Sequence, residues 1–146
     1  MVISVRYVIA EDETVWRNLW QDYLAFYEAE RPNNVYAETW RRIQDTNEEM
    51  FAMVAETQEH GVIGIVNFLH HRHFWGHENR IYLNDLYVRA DARSIGAGKA
   101  MIDGVVNHAK QHNCKQVWWF TAEDNAVARK LYDGLATLSS FVKYEA

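Results

Sequence analysis

Apolar residues recur along the chain with two different periods, and the switches between them mark its elements. The opening run VISVRYVI is rich in β-branched residues and reads as a strand, stopped at AEDE, where acidic side chains suit the positive end of a following helix. Val15, Trp16, Leu19, Trp20, Tyr23, Leu24 and Tyr27 then fall three and four residues apart, the stripe of a helix over about Glu13 to Ala29. ERPNN, with the only proline, breaks it, and a second helix is expected over about Val35 to Gln44. MFAMVAET, the turn QEHG and GVIGIVNFLHH predict a β-hairpin, followed by a loop, RHFWGHEN, and a third strand, RIYLNDLYV. Helical spacing returns over about Ile95 to His112 through Ala97, Met101, Ile102, Val105, Val106 and Ala109. KQVWWFT reads as a short buried strand, NAVARKLYDGLA as a helix and SFVKYE as a closing strand. Consecutive strands followed by strand–helix alternation predict an α+β sheet, antiparallel at first and parallel near its end.

Composition narrows the picture. With 146 residues, 49% of them hydrophobic and 14% aromatic, the chain can bury a sizeable core but is short for two domains, so residues 1–146 read as a single domain. Twenty acidic residues against fifteen basic ones argue against direct nucleic-acid binding and suit a cationic partner. The lone cysteine, Cys114, excludes an intrachain disulfide and points to a reducing compartment. The first residues lack a basic n-region and a cleavage site, and no run approaches a membrane span, so a cytoplasmic protein off the membrane is expected. His70, His71, His73 and His77 are loosely spaced and read as a solvated hairpin loop, with no metal.

Candidate chemistry concentrates at ARSIGAGKAM, where an apolar strand steps into a helix through two glycines. A Walker A loop would need glycine at Arg93 and a hydroxyl at Ala100, and a dinucleotide fingerprint would need glycine at Met101. Arg/Gln-x-x-Gly-x-Gly/Ala is satisfied by Arg93, Ser94, Ile95, Gly96, Ala97 and Gly98. Small residues in such a turn expose backbone N–H groups at a helix N-terminus, where they and the dipole hold a pyrophosphate; Arg93 and Lys99 add charge. Tight packing of the helix against the sheet is the competing reading of the same glycines.

The hexapeptide resembles motif A of the GNAT N-acetyltransferase superfamily. The resemblance extends over about Ile81 to Tyr144: IYLNDLYV is similar to the family's fourth strand, and Asn125, Ala128 and Tyr132 match its motif B. The branch it most resembles contains the diamine acetyltransferases and related histone or amino-acid acetylating enzymes. The resemblance implies a GNAT-like mixed, mostly antiparallel sheet of about seven strands flanked by about four helices. It also implies acetyl-CoA as cosubstrate and no metal.

The resemblance assigns roles residue by residue. The backbone of Leu86, Tyr87 and Val88 would pair with the pantetheine arm, and the Val88 region would polarise the thioester carbonyl. Asn125 would bond the pantetheine amides, or serve as an ordinary N-cap. Tyr132 would be the general acid for the departing thiolate, against the alternative of a packed aromatic. Asp85, flanked by apolar residues, needs a partner, and a substrate ammonium would supply one, with proton loss through water nearby. Tyr27 and Glu28 match a substrate-lining pair, while Asn84 stands where the branch usually has glutamate. Such a protein would acetylate a small-molecule or peptide primary amine: a polyamine, lysine, amino acid or aminoglycoside. A noncatalytic acyl-CoA-binding regulatory module is the alternative. Family habit also implies a homodimer or higher homo-oligomer, with SFVKYEA as the interface candidate.

Overall fold

The hairpin expected from MFAMVAET and GVIGIVNFLHH lies at the centre of the sheet. A computed structural model describes residues 1–146 and gives the order β1 (Ser4–Tyr7), α1 (Glu13–Phe26), α2 (Asn33–Gln44), β2 (Met50–Thr57), β3 (Gly61–His71), β4 (Arg80–Val88), α3 (Ala97–Gln111), β5 (Val117–Trp118) and α4 (Ala126–Asp133). The strands lie in sequence order, β1-β2-β3-β4-β5. All neighbours are antiparallel except β4 and β5.

The two apolar periods explain the layers. Met53 and Ala55 of β2, Val66 and Phe68 of β3, and Ile81 and Leu83 of β4 face α3, which buries Ala97, Met101, Ile102, Val105 and Ala109 against them. Ala52, Val54 and Ile65 point to the opposite face, where Trp16 and Leu19 of α1 and Trp40 of α2 cover them. Trp16 stacks on Trp20, with centroids 5.2 Å apart.

Four helices match the expectation, but five strands form rather than about seven. KQVWWFT pairs with β4 only at Val117 and Trp118, and SFVKYE is not a strand. After Asp133 the chain adopts no further helix or strand, and Phe141 and Tyr144 are about nine-tenths exposed. A two-residue β5 offers too short a ladder to template another strand. The helix over Glu13 to Ala29 stops early, at Phe26. Glu28 lies at φ 55°, and the Ala29 N–H closes on the Leu24 carbonyl at 2.8 Å, a Schellman-type stop with glutamate where glycine is usual. No helix is long and apolar enough to cross a membrane.

Candidate active site

The third strand of the sequence reading, β4, is the axis of the site. It pairs with β3 along its whole length, from His71↔Arg80 to Gly64↔Val88. On its other edge β5 matches only Ile81 and Tyr82. Leu83 to Val88 therefore present an edge with no strand partner, open to an extended ligand. Leu86 and Val88 pack side chains towards the α3 core, so side-chain packing and backbone pairing are compatible there. Arg93 Nε donates to the Val88 carbonyl at 3.0 Å, and its guanidinium lies 5.4 Å from the Tyr87 ring centroid.

The glycine step opens at the end of this strand. Ser94 (φ 68°) and Gly96 (φ 97°) both take the left-handed conformation, and Gly96 is the N-cap of α3. The first helical bond runs from the Ala100 N–H to the Gly96 carbonyl, at 3.0 Å. The N–H groups of the first turn before it have no intrahelical acceptor and sit at the positive end of the dipole. A Cβ built on Gly96 meets nothing within 4 Å, so this glycine serves backbone conformation on an open face. A Cβ on Gly98 would lie 3.2 Å from Leu131 Cδ2 and 4.0 Å from Leu86 Cδ2. Open backbone and tight packing thus divide between the two glycines. Ala97 is buried and Ile95 is exposed. Lys99 pairs with Asp103 at 2.7 Å on the helix surface, which leaves Arg93 as the cation nearer the strand.

Asp85 owes its direction to a β-bulge. Asn67 pairs with Asp85 and the adjacent Phe68 with Leu83, so Asn84 is the extra residue on β4. The bulge turns Asp85 towards α1, away from the face that Leu83 and Leu86 share. Asp85 is 8% exposed. Its Oδ2 accepts from Trp20 Nε1 (3.1 Å) and Asn67 Nδ2 (3.0 Å), and its Oδ1 from Asn84 Nδ2 (2.9 Å). All three donors are neutral, so the carboxylate is hydrogen-bonded but its charge is not cancelled. Tyr23 stands beside it, and burial followed by the Asp85 charge pushes the Tyr23 phenol well above its ordinary range. Burial and then Asp85 also raise Tyr82. Tyr82 stacks on Trp118 at 4.5 Å, extending an aromatic wall from the acid.

The remaining candidates close the site from α1 and α4. Tyr132 is half-buried against Trp119, centroids 5.4 Å apart, and its pKa is raised by burial and then by Tyr27. Asn125 is the N-cap of α4, its Oδ1 accepting from the Ala128 N–H at 3.2 Å, which leaves its Nδ2 available to a ligand. Tyr27 meets Tyr23 edge-on at 5.1 Å. An open groove of about 510 Å³ runs between Phe26 and Tyr27 on one side and Asn125, Ala126 and Val127 on the other. Glu28 is exposed just beyond the end of α1.

Two polar clusters escaped the sequence reading. Trp16, Trp20 and Asn67 hold Asp85; the lone amide in the apolar run GVIGIVNFL was the available signal. The second corrects the reading of His70 as a solvated loop residue. Its side chain is 7% exposed, and His70 Nε2 lies 2.8 Å from His108 Nε2. His108 Nδ1 bonds the Tyr7 hydroxyl, and His112 stacks on His108 at 3.9 Å. His108 lies seven residues after Met101 and three after Val105, squarely on the buried stripe of α3.

Comparison with known proteins identifies the family and the fold. Residues 14–135 match the model of the acetyltransferase (GNAT) family. A D-amino-acid N-acetyltransferase of Saccharomyces cerevisiae is 31% identical over 144 residues, spanning 98% of this chain and 89% of the yeast protein. Among solved structures, a ribosomal-protein-alanine N-acetyltransferase from Brucella melitensis biovar Abortus 2308 superposes with a TM-score of 0.83 at 21% identity, covering 100% of this chain and 99% of the other. AAC(6')-Iy, in complex with the bisubstrate analogue CoA-S-monomethyl-acetylneamine, gives 0.83 at 16% identity, covering 100% and 98%. At these identities the structural likenesses establish the shared fold.

Proposed function

The chain belongs to the GNAT acetyltransferase family, and on that premise we propose that it moves the acetyl group of acetyl-CoA to a primary amine by direct attack. The observation carrying the reading is the combination of an unpartnered β4 edge, a helix start at Gly96 with open backbone N–H groups, and a buried carboxyl group with no cation beside it. The N–H groups at the start of α3 and Arg93 would hold the diphosphate, and the free edge from Leu83 to Val88 would align the pantetheine arm. Acetyl-CoA supplies an activated thioester. Asp85 would hold the incoming ammonium and pass its proton to water, freeing the nitrogen lone pair. As the new C–N bond forms and the C–S bond breaks, an amide of β4 would meet charge developing on the carbonyl oxygen. Tyr132 would protonate the departing sulfur and recover its proton from solvent. A phenol is protonated at neutral pH and can donate to a thiolate formed beside it; burial makes Tyr132 a weaker acid than a free phenol, so the role rests on its position rather than on the shift.

An amino acid is the favoured acceptor class, because the yeast relative acts on D-amino acids and one anchored carboxylate suits one ammonium. The test is release of free CoA thiol over a panel of D-amino acids, spermidine, a lysine peptide and kanamycin. Turnover with spermidine, the lysine peptide or kanamycin but with no amino acid, or with none of the panel, overturns the acceptor reading. Tyr132→Phe tests the acid: single-turnover transfer should fall roughly 10²-fold while acetyl-CoA affinity stays within a few-fold. An unchanged rate removes Tyr132 from the chemistry.

A further inference from the structure

Asn67 and Trp16 belong to no motif, yet both are buried beside the one carboxylate in the amine-facing part of the sheet. Trp16 is fully buried, and its Nε1 donates to Asn67 Oδ1 at 2.9 Å. An indole nitrogen can only donate, so the amide oxygen of Asn67 must face it and the NH₂ must face Asp85. That NH₂ can also only donate, as can the indole of Trp20, and both end on Asp85 Oδ2. A carboxylate oxygen has two lone-pair sites; Oδ2 has both filled. Oδ1 accepts from Asn84, with the Tyr23 hydroxyl also hydrogen-bonded to the carboxylate, and is the oxygen that the Trp20 and Asn67 donors leave open.

We infer that Asn67 is a positioning residue for acetyl transfer, locked by Trp16 so that it fixes Asp85 Oδ2 and leaves Oδ1 as the oxygen that receives the acceptor ammonium. The inference rests on the reading of Asp85 as the amine anchor. The relay runs Trp16 → Asn67 → Asp85, from α1 through β3 to β4, and Asn67 and Asp85 are directly paired at the bulge. Both donors in it, the Trp16 indole and the Asn67 amide, are neutral and buried, so the relay orients the acid without pairing it with a cation. A cation in place of Asn67 would compete with the acceptor ammonium. A second carboxylate there would face Oδ2 with an acceptor and force a proton between them.

Three variants separate the two claims. The readout is amine KM against acetyl-CoA KM, with the acceptor of highest kcat/KM in the panel above. Asn67→Asp should raise amine KM at least tenfold, with acetyl-CoA KM within twofold. Trp16→Phe, which keeps an aromatic ring but frees the amide to flip, should shift the same ratio in the same direction and less. It decides the matter should Asn67→Asp not fold. A purely structural role would lower the melting temperature and leave the KM ratio unchanged, which would overturn the inference. Asp85→Asn is the control for the underlying reading. If it leaves amine KM unchanged, Asp85 is not the anchor, whereas a loss there without any response to the Asn67 and Trp16 variants rejects the positioning alone.

Discussion

Lowering the pH should destabilise this protein through His108, on the face of the sheet opposite Asp85. His108 is 1% exposed, with Phe51 and Phe68 rings at 4.7 and 4.9 Å. Its ring nitrogens meet the Tyr7 hydroxyl and His70, and His70 Nδ1 lies 3.7 Å from Glu49 Oε1. One consistent polarity satisfies this chain of groups: Tyr7 donates to His108, His108 to His70, and His70 points its proton at Glu49. In that arrangement His108 is neutral. A second proton would leave it two donors and no acid in contact, with only the stacked His112 beside it. Burial, then His112 and His70, push its pKa down to about 4 from the usual 6.5. Above pH 6.5 both folded and unfolded chains carry the neutral ring and nothing is lost. Between 6.5 and 4 the unfolded chain takes up a proton that the folded chain refuses, so stability falls as pH falls, and levels below 4. At 1.36 kcal/mol per pH unit the loss is about 3 kcal/mol, a large share of a typical domain's stability. His70, also lowered, acts in the same direction. Urea unfolding at pH 7.5, 6, 5 and 4.5 should show this slope in the wild type and a much flatter one in His108→Gln, whatever that variant loses at pH 7.5. Parallel slopes would show that His108 titrates alike in both states and refute the reasoning.

The two glycines should fail differently. Gly96→Glu meets no neighbour but strains the backbone at φ 97°, so it should melt slightly earlier and, in the folded protein, lose at least tenfold in acetyl-CoA affinity by calorimetry, whereas Gly98→Val should cost roughly 1–3 kcal/mol of stability through its clash with Leu131. Glu28→Gly should raise stability by up to about 1 kcal/mol, because glycine takes the left-handed stop of α1 without steric cost. If the Glu28 carboxylate also contacts the acceptor, the same variant raises amine KM while it melts later.

The elements with sustained periodicity were legible: α1, the β2–β3 hairpin, β4 and α3 fall where the apolar spacing put them. What failed was whatever depends on a partner. SFVKYE has the composition of a strand, but strand formation needs a neighbouring edge, and β5 supplies two residues of ladder. Counting seven strands came from family likeness, and nothing in the tail's own residues could confirm a pairing. The bulge was half-legible. Leu83 and Leu86 share a face although three residues apart, which a regular strand forbids, so the spacing of LNDLYV already carried the extra residue. At the glycine step, sequence spacing marked both glycines but could not say which one met a neighbouring helix and which faced open space.

Asn67 and Phe68, adjacent on β3, show how the sheet divides donors and acceptors between its two faces. Phe68 faces α3 and meets His108, whose partners include an acceptor and a hydroxyl able to act either way; hydrogen bonding there is complete without a charge. Asn67 faces α1 and meets Asp85, whose partners among the indole and amide groups are all donors. The two sites are both nearly dry, so burial alone cannot distinguish them. Their donor and acceptor inventories do: neutral donors converge on an acid on the face where β4 runs past the end of β5, and a neutral imidazole cluster lies on the face sealed by α3. Reversing the inventory on one face should therefore disturb that site without moving the backbone, which is the feature that the Asn67 and His108 variants each probe.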